Sequence, residues 1–361
     1  MKPDFFTACE GEFEQRFIGK LSTIEADKYF IITDENCSAY CLDFLKFLVR
    51  KYHCKTILCK SGENNKTLSQ CEHIWSNLMR WQCGRKSLIF IVGGGMVCDM
   101  GSFAASTFMR GVRHILVPTT LLAQTDAAIG GKTAINFQNI KNQIGTFSEP
   151  VFTAINTSFL KTLDKREILS GMSEIVKHGL IFDKSIISDL KSQDVEKLSG
   201  DGAFAKILHK SIEVKSHFVE QDLHDNNIRK VLNFGHTIGH AVESALLNVV
   251  THGEAVAFGM VSSLLLSKNH CRLNPVSFVT ALIAIERNTN IAIFKTLFDS
   301  QNVDDTAQEI TDIALHDKKN ENSAMKFVLL QNLGEVVVDV EIDKADVYEA
   351  IIQTIAIIKK L

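Results

Sequence analysis

Four short apolar segments recur through the first part of the chain, each separated from the next by enough residues for a helix. They are residues 28–33 (KYFIIT), 55–59 (KTILC), 87–92 (SLIFIV) and 114–117 (HILV), and turn or cap residues follow each one. Strands of this composition that alternate with helical stretches indicate a parallel sheet with crossover helices. Ligands of such sheets bind beyond the carboxyl ends of the strands, so we expect a ligand site in the loops that follow these segments.

The second part of the chain has helical periodicity from about residue 158 onward. Examples are FLKTLDKREILSGMSEIVKHGLI and DVYEAIIQTIAIIKK, whereas MKFVLLQNLGEVVVDVEI predicts a β-hairpin that turns at residues 332–334. We therefore predict an α/β domain with a parallel sheet over residues 1–157, followed by a mostly α-helical domain over residues 158–361.

Charge and composition exclude several classes of protein. A net charge of −3 leaves no basic excess to neutralise a nucleic-acid backbone, so we expect no nucleic-acid partner. Nine cysteines, an odd number, favour free thiols in a reducing compartment over a disulfide framework. Acidic residues stand where a signal peptide needs an apolar core, and no apolar run approaches the roughly 18 residues of a membrane span. We predict a cytoplasmic protein without a membrane segment.

Three consecutive glycines, Gly93 to Gly95, follow the third apolar segment and precede a helix that contains Asp99. Glycines let the backbone approach an anion, and a helix N-terminus offers free N–H groups to it. The spacing is not G-x-G-x-x-G, so an ordinary Rossmann dehydrogenase is not indicated. The segment favours a nucleotide-binding turn, although a tight strand-to-helix turn without a ligand has the same composition.

The next segments, VPTTLLAQTDAAIGGKTAIN and IKNQIGTF, concentrate hydroxyl, carboxylate, glycine and lysine groups. Such groups suit a nucleotide and a phosphate together, because lysine acts on phosphate as a mobile point charge. The apolar stretches LLAQ and AAIGG argue against a solvated loop. The residues concerned are Thr119, Thr120, Asp126, Gly130, Gly131, Lys132, Thr133, Lys141 and Asn142.

Histidines and carboxylates in the second part of the chain predict a metal site. His236 and His240 lie four residues apart and therefore on one face of a helix, and His252 follows at the start of another helix. Three histidines with a carboxylate suit zinc or a similar divalent ion. Spacing alone nominates His236 and His240 as paired ligands and leaves the remaining ligands open among Glu174, His178 and Glu254.

In order and spacing these motifs resemble those of the 3-dehydroquinate synthase family of sugar-phosphate cyclases, from about residue 28 to residue 330. The matching motifs are PTTLLAQ-x-DA-x-IGGKT, FL-x-TL-x-x-RE-x-x-SGM-x-E-x-x-KHGLI, LN-x-GHTIGHA-x-E, HGEAVA-x-GM and DKKN. The resemblance implies conversion of 3-deoxy-D-arabino-heptulosonate 7-phosphate to 3-dehydroquinate and phosphate, a step of the shikimate pathway to aromatic amino acids. It also implies transient reduction of NAD, a bound Zn²⁺ or Co²⁺ ion, and a homodimer.

Site residues follow from the resemblance position by position. The metal ligands would be Glu174, His236 and His252, which overrules the pairing of His236 with His240 and places His240 beside the metal. The residues around NAD would be Asp34, Glu63, Lys66, Gly94, Gly95, Asp99, Thr119, Thr120, Asp126, Lys132, Lys141, Thr162, Leu163 and Glu167. The catalytic and substrate-binding residues would be Asp126, Lys132, Asn142, Lys177, Lys215, Arg229, Asn233, His240, Lys318 or its neighbour Lys319, and Arg110 across the dimer interface.

Three other interpretations stay open at this point. One is a related cyclase of secondary metabolism, and another is a metal-dependent polyol or glycerol dehydrogenase, which shares a GGG-x-x-x-D turn. The third is a binding or regulatory homologue without catalysis. The GGKT segment, Lys215 and the DKKN segment favour a small phosphorylated substrate over a neutral polyol.

Overall fold

The computed structural model describes residues 5–8, 12–138, 140–191, 202–246, 249–299, 302–316 and 324–361. The described residues form two compact units. The first lies within Met1–Asp164 and Leu198–Ile212, and the second within Lys165–Lys197 and Glu213–Leu361. The limit between two functional domains after residue 157 stays a prediction.

A six-stranded parallel sheet forms the centre of the first unit, as the sequence predicts. The strand order is β1-β8-β5-β4-β2-β3. The strands are β1 (Phe5–Ala8), β2 (Tyr29–Asp34), β3 (Lys55–Cys59), β4 (Leu88–Gly93), β5 (Arg113–Pro118) and β8 (Thr153–Asn156). Between β5 and β8, β6 (Lys132–Phe137) and β7 (Ile140–Phe147) pair as a separate antiparallel hairpin.

Helices cover both faces of this sheet, which explains why its strands are continuous apolar runs. On one face Phe30, Ile32 and Ile91 pack with α4 (Leu68–Arg80) and α5 (Gly95–Thr107). On the other face Ile31, Phe90 and Val92 pack with α1 (Phe13–Leu21) and α3 (Leu42–Tyr52), while α2 (Glu35–Tyr40) follows β2 directly.

The order of the strands reverses between β2 and β4. From β2 the chain continues to β3 on one side, and then returns to β4 on the other side of β2. Such a switch point opens a crevice at the carboxyl ends of the two strands. Asp34 ends β2 and Gly93 ends β4, so the structure places two of the predicted nucleotide-site segments at this crevice.

Three elements of the first unit were not predicted. β1 and β8 are four residues each, too short for a clear pattern, and the β6–β7 hairpin has the lysines, asparagines and glycine of a loop. The described cysteines are free, as predicted: Cys37, Cys41, Cys54, Cys59, Cys71, Cys83, Cys98 and Cys271.

The second unit is mainly helical, as predicted. It contains α6 (Lys165–Ile181), α7 (Lys184–Leu190), the later part of α8 (Gly202–Gln221), α9 (His236–Ala245), α10 (His252–His270), α11 (Pro275–Asn288), α12 (Ile293–Asp299), α13 (Val303–His316) and α14 (Lys344–Ile358). The predicted hairpin is present as β9 (Ala324–Asn332) and β10 (Glu335–Asp343).

Helix α10 is the centre of this unit, because its residues 253–267 are all buried and it packs against α6, α9, α11 and α14. Among the described helices, none combines the length and the apolar character that crossing a bilayer requires.

Candidate active site

Three side chains on three helices form a group of metal-type donors in the second unit. Glu174 lies on α6, while His236 and His252 are the first residues of α9 and α10. The Oε1 atom of Glu174 lies 3.6 Å from Nε2 of His236 and 3.8 Å from Nε2 of His252. Two ligands of a tetrahedral zinc ion, each about 2.1 Å from it, lie about 3.4 Å apart. The spacing of these donors is therefore close to that of a zinc site.

The environment of Glu174 tests whether the group suits a metal. Its side chain is fully buried, and Oε2 accepts a hydrogen bond from Nζ of Lys177. Oε1 accepts no hydrogen bond from any residue that the structure describes. Leaving a buried charged acceptor unpaired costs more than the about 1–3 kcal/mol of a neutral one. A cation held between Oε1 and the two imidazoles would remove that cost, so the residues fit a divalent metal.

Both imidazoles turn the same nitrogen towards Glu174. Nδ1 of His236 lies 3.2 Å from the carbonyl oxygen of Phe234, and Nδ1 of His252 lies 3.1 Å from Oε2 of Glu243. Carbonyl and carboxylate oxygens only accept, so each ring, when neutral, donates from Nδ1 and keeps its lone pair on Nε2. These are the tautomers that a metal ligand requires.

Glycines allow the three helices to approach this closely. A Cβ atom on Gly253 of α10 would lie 2.0 Å from the carbonyl oxygen of Ser170, one turn before Glu174 on α6. A Cβ atom on Gly259 would lie 1.9 Å from the carbonyl oxygen of Gly235, which accepts the first hydrogen bond of α9. The glycines among the histidine motifs therefore serve helix packing.

Glu254 is excluded as a metal ligand, which corrects one of the options that the sequence left open. Its carboxylate accepts hydrogen bonds from Nε and Nη2 of Arg166 at 2.8 and 2.7 Å, from Nδ2 of Asn290 at 2.6 Å, and from the backbone of Thr251 at 2.7 Å. Burial alone raises its pKa, but these hydrogen bonds outweigh burial and lower the pKa below the usual value. Glu254 caps α10 and joins it to α6.

His240 lies beside the three donors. Its ring centroid is 5.2 Å from that of His236 and 6.0 Å from that of His252. In the donor group, His252 takes the place that spacing assigned to His240. His178, another option from the sequence, is buried on α6 and is not in the group.

Three cationic side chains of the second unit are buried, which is unusual for lysine and arginine. Lys177, Lys215 and Arg229 expose 1%, 4% and 3% of their surface. The backbone N–H of Arg229 donates to the carboxylate of Asp222, and its Nη1 donates to the carbonyl of Leu223. Buried cations require a hydrogen-bonding or anionic partner, which Glu174 provides for Lys177. Asn233 ends the same 3-10 helix as Arg229, whereas Lys318 and Lys319 lie outside the described residues.

A second polar network lies in the first unit and centres on Lys66, which is buried. Its Nζ donates to Oδ2 of Asp99 at 2.6 Å and to Oδ1 of Asn142, and it lies 3.8 Å from Oε1 of Glu63. Asn136 bonds Glu63, the backbone of Lys66 and the backbone of Asn142. Burial raises the pKa of Asp99, and the nearby Lys66 ammonium opposes that rise. Four of the predicted site residues are thus brought together.

Other predicted residues surround the crevice at the carboxyl ends of β2, β4 and β5. Asp34 accepts a hydrogen bond from the N–H of Cys37 and caps α2, while burial raises its pKa. Gly94 precedes α5, and a Cβ atom there would lie 3.0 Å from the methyl of Thr120. The N–H of Thr119 donates to the carbonyl of Gly93 and ties β5 to β4.

The remaining predicted residues lie on turns and on the hairpin. Asp126 is in a π-helical turn, and Lys132 and Lys141 are exposed on β6 and β7. Thr162 and Glu167 are also exposed, with Leu163 between them. Arg110 has a positive φ of 65° next to Met109 with φ of 50°, a strained pair of the kind found at functional sites. Their roles stay predictions.

Sequence reasoning missed three residues that the structure places in these networks. Asn136, Arg166 and Glu243 all stand inside the quoted motifs. The sequence alone does not show which residue a polar side chain on a strand or helix will bond. Only the periodicity of α9 offered a signal, since Glu243 lies seven residues after His236 and so on the same helical face.

Residues 56–320 of the chain match the two domain models of one family. The N-terminal domain of 3-dehydroquinate synthase matches residues 56–170, and the C-terminal domain matches residues 171–320. A 3-dehydroquinate synthase of Parabacteroides distasonis is 37% identical over 334 residues, which cover 92% of each chain. The chain belongs to the 3-dehydroquinate synthase family. This confirms the resemblance inferred from the motifs.

Two solved structures of synthases share the fold of this chain. A 2-deoxy-scyllo-inosose synthase with carbaglucose-6-phosphate, NAD⁺ and Co²⁺ has a TM-score of 0.84 at 23% identity and covers 97% of this chain and 96% of its own. ValA, a 2-epi-5-epi-valiolone synthase from Streptomyces hygroscopicus with NAD⁺ and Zn²⁺, has a TM-score of 0.82 at 22% identity and covers 99% and 97%.

Proposed function

We propose that this chain is a 3-dehydroquinate synthase that forms 3-dehydroquinate and phosphate from 3-deoxy-D-arabino-heptulosonate 7-phosphate. One observation carries the proposal: Glu174 directs a buried oxygen, to which none of the described residues donates a hydrogen bond, at the Nε2 atoms of His236 and His252. A carboxylate and two imidazoles are three protein ligands, the number with which catalytic zinc sites leave a further position for substrate.

Two bound groups complete the proposed enzyme. NAD, placed at the β2–β4 crevice with the Lys66 network, would take a hydride from the substrate and return it. A divalent metal held by Glu174, His236 and His252, zinc or cobalt, would act as a Lewis acid on the reacting oxygen. The bound NAD⁺ with Co²⁺ or Zn²⁺ in the two similar cyclases supports both assignments.

The remaining groups of the chain orient the substrate. Lys177 holds the carboxylate of Glu174 in place through the hydrogen bond from its Nζ. Lys215, Arg229 and Asn233 would bind an anionic end of the substrate, with Lys132, Asn142 and Arg110 assigned to the other end. His240 would contact the substrate from beside the metal. The substrate has two anionic ends, a carboxylate and a phosphate, so two basic groups of residues suit it.

The alternative enzymes differ in the charge of the substrate that each must bind. A polyol dehydrogenase would gain little from the buried Lys215 and Arg229. A cyclase acting on a sugar phosphate without a carboxylate would use one basic group and not two. The proposal is tested by release of phosphate from the heptulosonate phosphate with NAD present in catalytic amounts. Product-linked accumulation of NADH would instead favour a dehydrogenase.

A homodimer, located in the cytoplasm, belongs to the same proposal. The β6–β7 hairpin exposes Phe137, Ile140, Ile144 and Phe147, and within the described residues β7 pairs with β6 alone. A strand that exposes apolar side chains at the edge of a two-stranded sheet is a site for pairing with another chain, and a second copy pairing there would form a two-fold dimer. Oγ of Ser106 lies 2.7 Å from Oγ1 of Thr146, which keeps the end of α5, and hence the turn with Arg110, next to this edge.

We expect Ile144→Glu to dissociate the dimer, because it places a charge on the apolar edge. Sedimentation velocity of the wild type and of this variant measures the effect. Glu286→Ala, an exposed change on α11, is the control. A wild-type chain that sediments as a monomer would contradict the proposed dimer.

A further inference from the structure

We propose that Glu243 is a positioning residue for the metal centre, and that it acts by holding the imidazole of His252 in the tautomer and orientation that binds the ion. This inference rests on the proposed function, since it requires the metal site. Glu243 closes one of the matched motifs, but neither spacing nor the motifs assign it a role.

Helix α9 carries both His236 and Glu243. His236 begins the helix and Glu243 follows seven residues later, so the two side chains leave the same face two turns apart. His252 begins α10, the helix packed closest to α9 through Gly235, Gly239 and Gly259. Glu243 therefore reaches the ring of His252 from the next helix, and not from its own.

The contact joins the nitrogen of His252 that does not face Glu174. Oε2 of Glu243 lies 3.1 Å from Nδ1, while Nε2 of the same ring lies 3.8 Å from Oε1 of Glu174. The carboxylate is 13% exposed and the imidazole 25%, so water competes only partly for this hydrogen bond. A neutral imidazole carries one proton, and an acceptor at Nδ1 keeps that proton away from Nε2.

The two histidine ligands differ in how they are held. Nδ1 of His236 donates to the backbone carbonyl of Phe234, which no side-chain substitution can remove. His252 depends on a side chain for the same function. Removing that side chain takes away the acceptor that keeps the proton on Nδ1, so the proton can move to Nε2, where it would block coordination. A carboxylate acceptor also makes the imidazole a stronger base and thus a better ligand.

We expect Glu243→Ala to weaken binding of Co²⁺ by about 10- to 100-fold, as outer partners of metal ligands do when they are removed. Glu243→Gln keeps an acceptor for Nδ1 but loses the charge, so its affinity should lie between those of the wild type and Glu243→Ala. Glu286→Ala on α11 is the matched control, because it removes an exposed glutamate of the same unit far along the chain. It should bind Co²⁺ as the wild type does.

The measurement is a titration of each metal-free protein with Co²⁺ against a chelator of known affinity, followed by the visible absorption of bound Co²⁺. Thermal unfolding of the metal-free proteins separates positioning from stability. The expected result is a weaker affinity and an altered Co²⁺ spectrum for Glu243→Ala, with the midpoint of the metal-free protein close to that of the wild type.

Two results would overturn the inference while leaving the proposed function intact. One is a Co²⁺ affinity of Glu243→Ala within twofold of the wild type. The other is a weaker affinity that is accompanied by an equal loss of stability in the metal-free protein, which indicates a structural role. A wild-type chain that binds neither Co²⁺ nor Zn²⁺ would refute the metal centre itself, and the inference with it.

Discussion

Replacing His252 with alanine should release the metal and lower turnover by about a thousandfold or more. The donor group would lose one of its three ligands, and with the ion the reaction would lose Lewis-acid stabilisation that is worth several kcal/mol, at about 1.4 kcal/mol for each tenfold in rate. Metal content by elemental analysis and phosphate release measure the two effects. Treatment of the wild type with a strong chelator should have the same result, and Zn²⁺ or Co²⁺ should restore activity.

His240 provides the matched comparison, because it is a histidine beside the same group. We expect His240→Ala to keep most of the metal while losing rate, since its imidazole is assigned to the substrate. Glu174→Ala should also lose the metal, but it leaves the buried Lys177 without its carboxylate, so its unfolding must be measured as well. A metal-free His240→Ala variant together with a His252→Ala variant that holds metal normally would show that the ligand assignment is wrong.

Adding one methyl group at Gly259 should damage the fold of the second unit and its metal site together. The Cβ atom of Gly259→Ala would lie 1.9 Å from the carbonyl oxygen of Gly235 and 2.7 Å from the backbone nitrogen of Gly239. Both are backbone atoms, so α9 and α10 must separate. Overpacking by a side chain costs about 1–3 kcal/mol, and a clash with the backbone reaches at least the upper end of that range.

For a unit of this size, about 3 kcal/mol corresponds to a fall of roughly 6–12 °C in the unfolding midpoint. The affinity for metal should fall too, because His236 and His252 lie on the helices that are forced apart. Gly19→Ala is the control, since no heavy atom lies within 4 Å of a Cβ atom there and Gly19 is in the helix α1. That change should be neutral or stabilising, as alanine is the better helix former. An equal midpoint for Gly259→Ala and the wild type would contradict the packing described for α9 and α10.

The parallel sheet was predictable because its central strands are buried on both faces. β4 (LIFIVG) and the first four residues of β2 (YFII) are apolar, and such runs followed by turn residues have few other interpretations. The β6–β7 hairpin was not predictable in this way. β7 is exposed along nearly all of its length, so burial did not shape its sequence and its residues have the composition of a loop.

The metal site shows what the spacing of residues in the sequence can and cannot predict. Spacing identifies residues on one face of one helix, which is why it paired His236 with His240. The third donor, His252, comes from the next helix, and that approach depends on Gly235, Gly239 and Gly259. The sequence does not show which segment of the backbone will pack against a given glycine. The family motifs named His252 and Glu174, whereas the hydrogen-bond partners of Glu243 and Asn136 became visible only in the structure.

The central claim is that the chain oxidises its substrate only transiently, eliminates phosphate and carries a site for a substrate with two anionic ends. Its most direct test follows phosphate release and NADH absorbance in one reaction, with NAD well below the substrate concentration. The substrates compared are 3-deoxy-D-arabino-heptulosonate 7-phosphate, glucose 6-phosphate and sedoheptulose 7-phosphate at equal concentration. We expect many phosphates released per NAD from the heptulosonate phosphate, with no accumulation of NADH and little turnover of the other two. Faster turnover of either sugar phosphate without a carboxylate, or NADH that accumulates in step with product, would contradict the account.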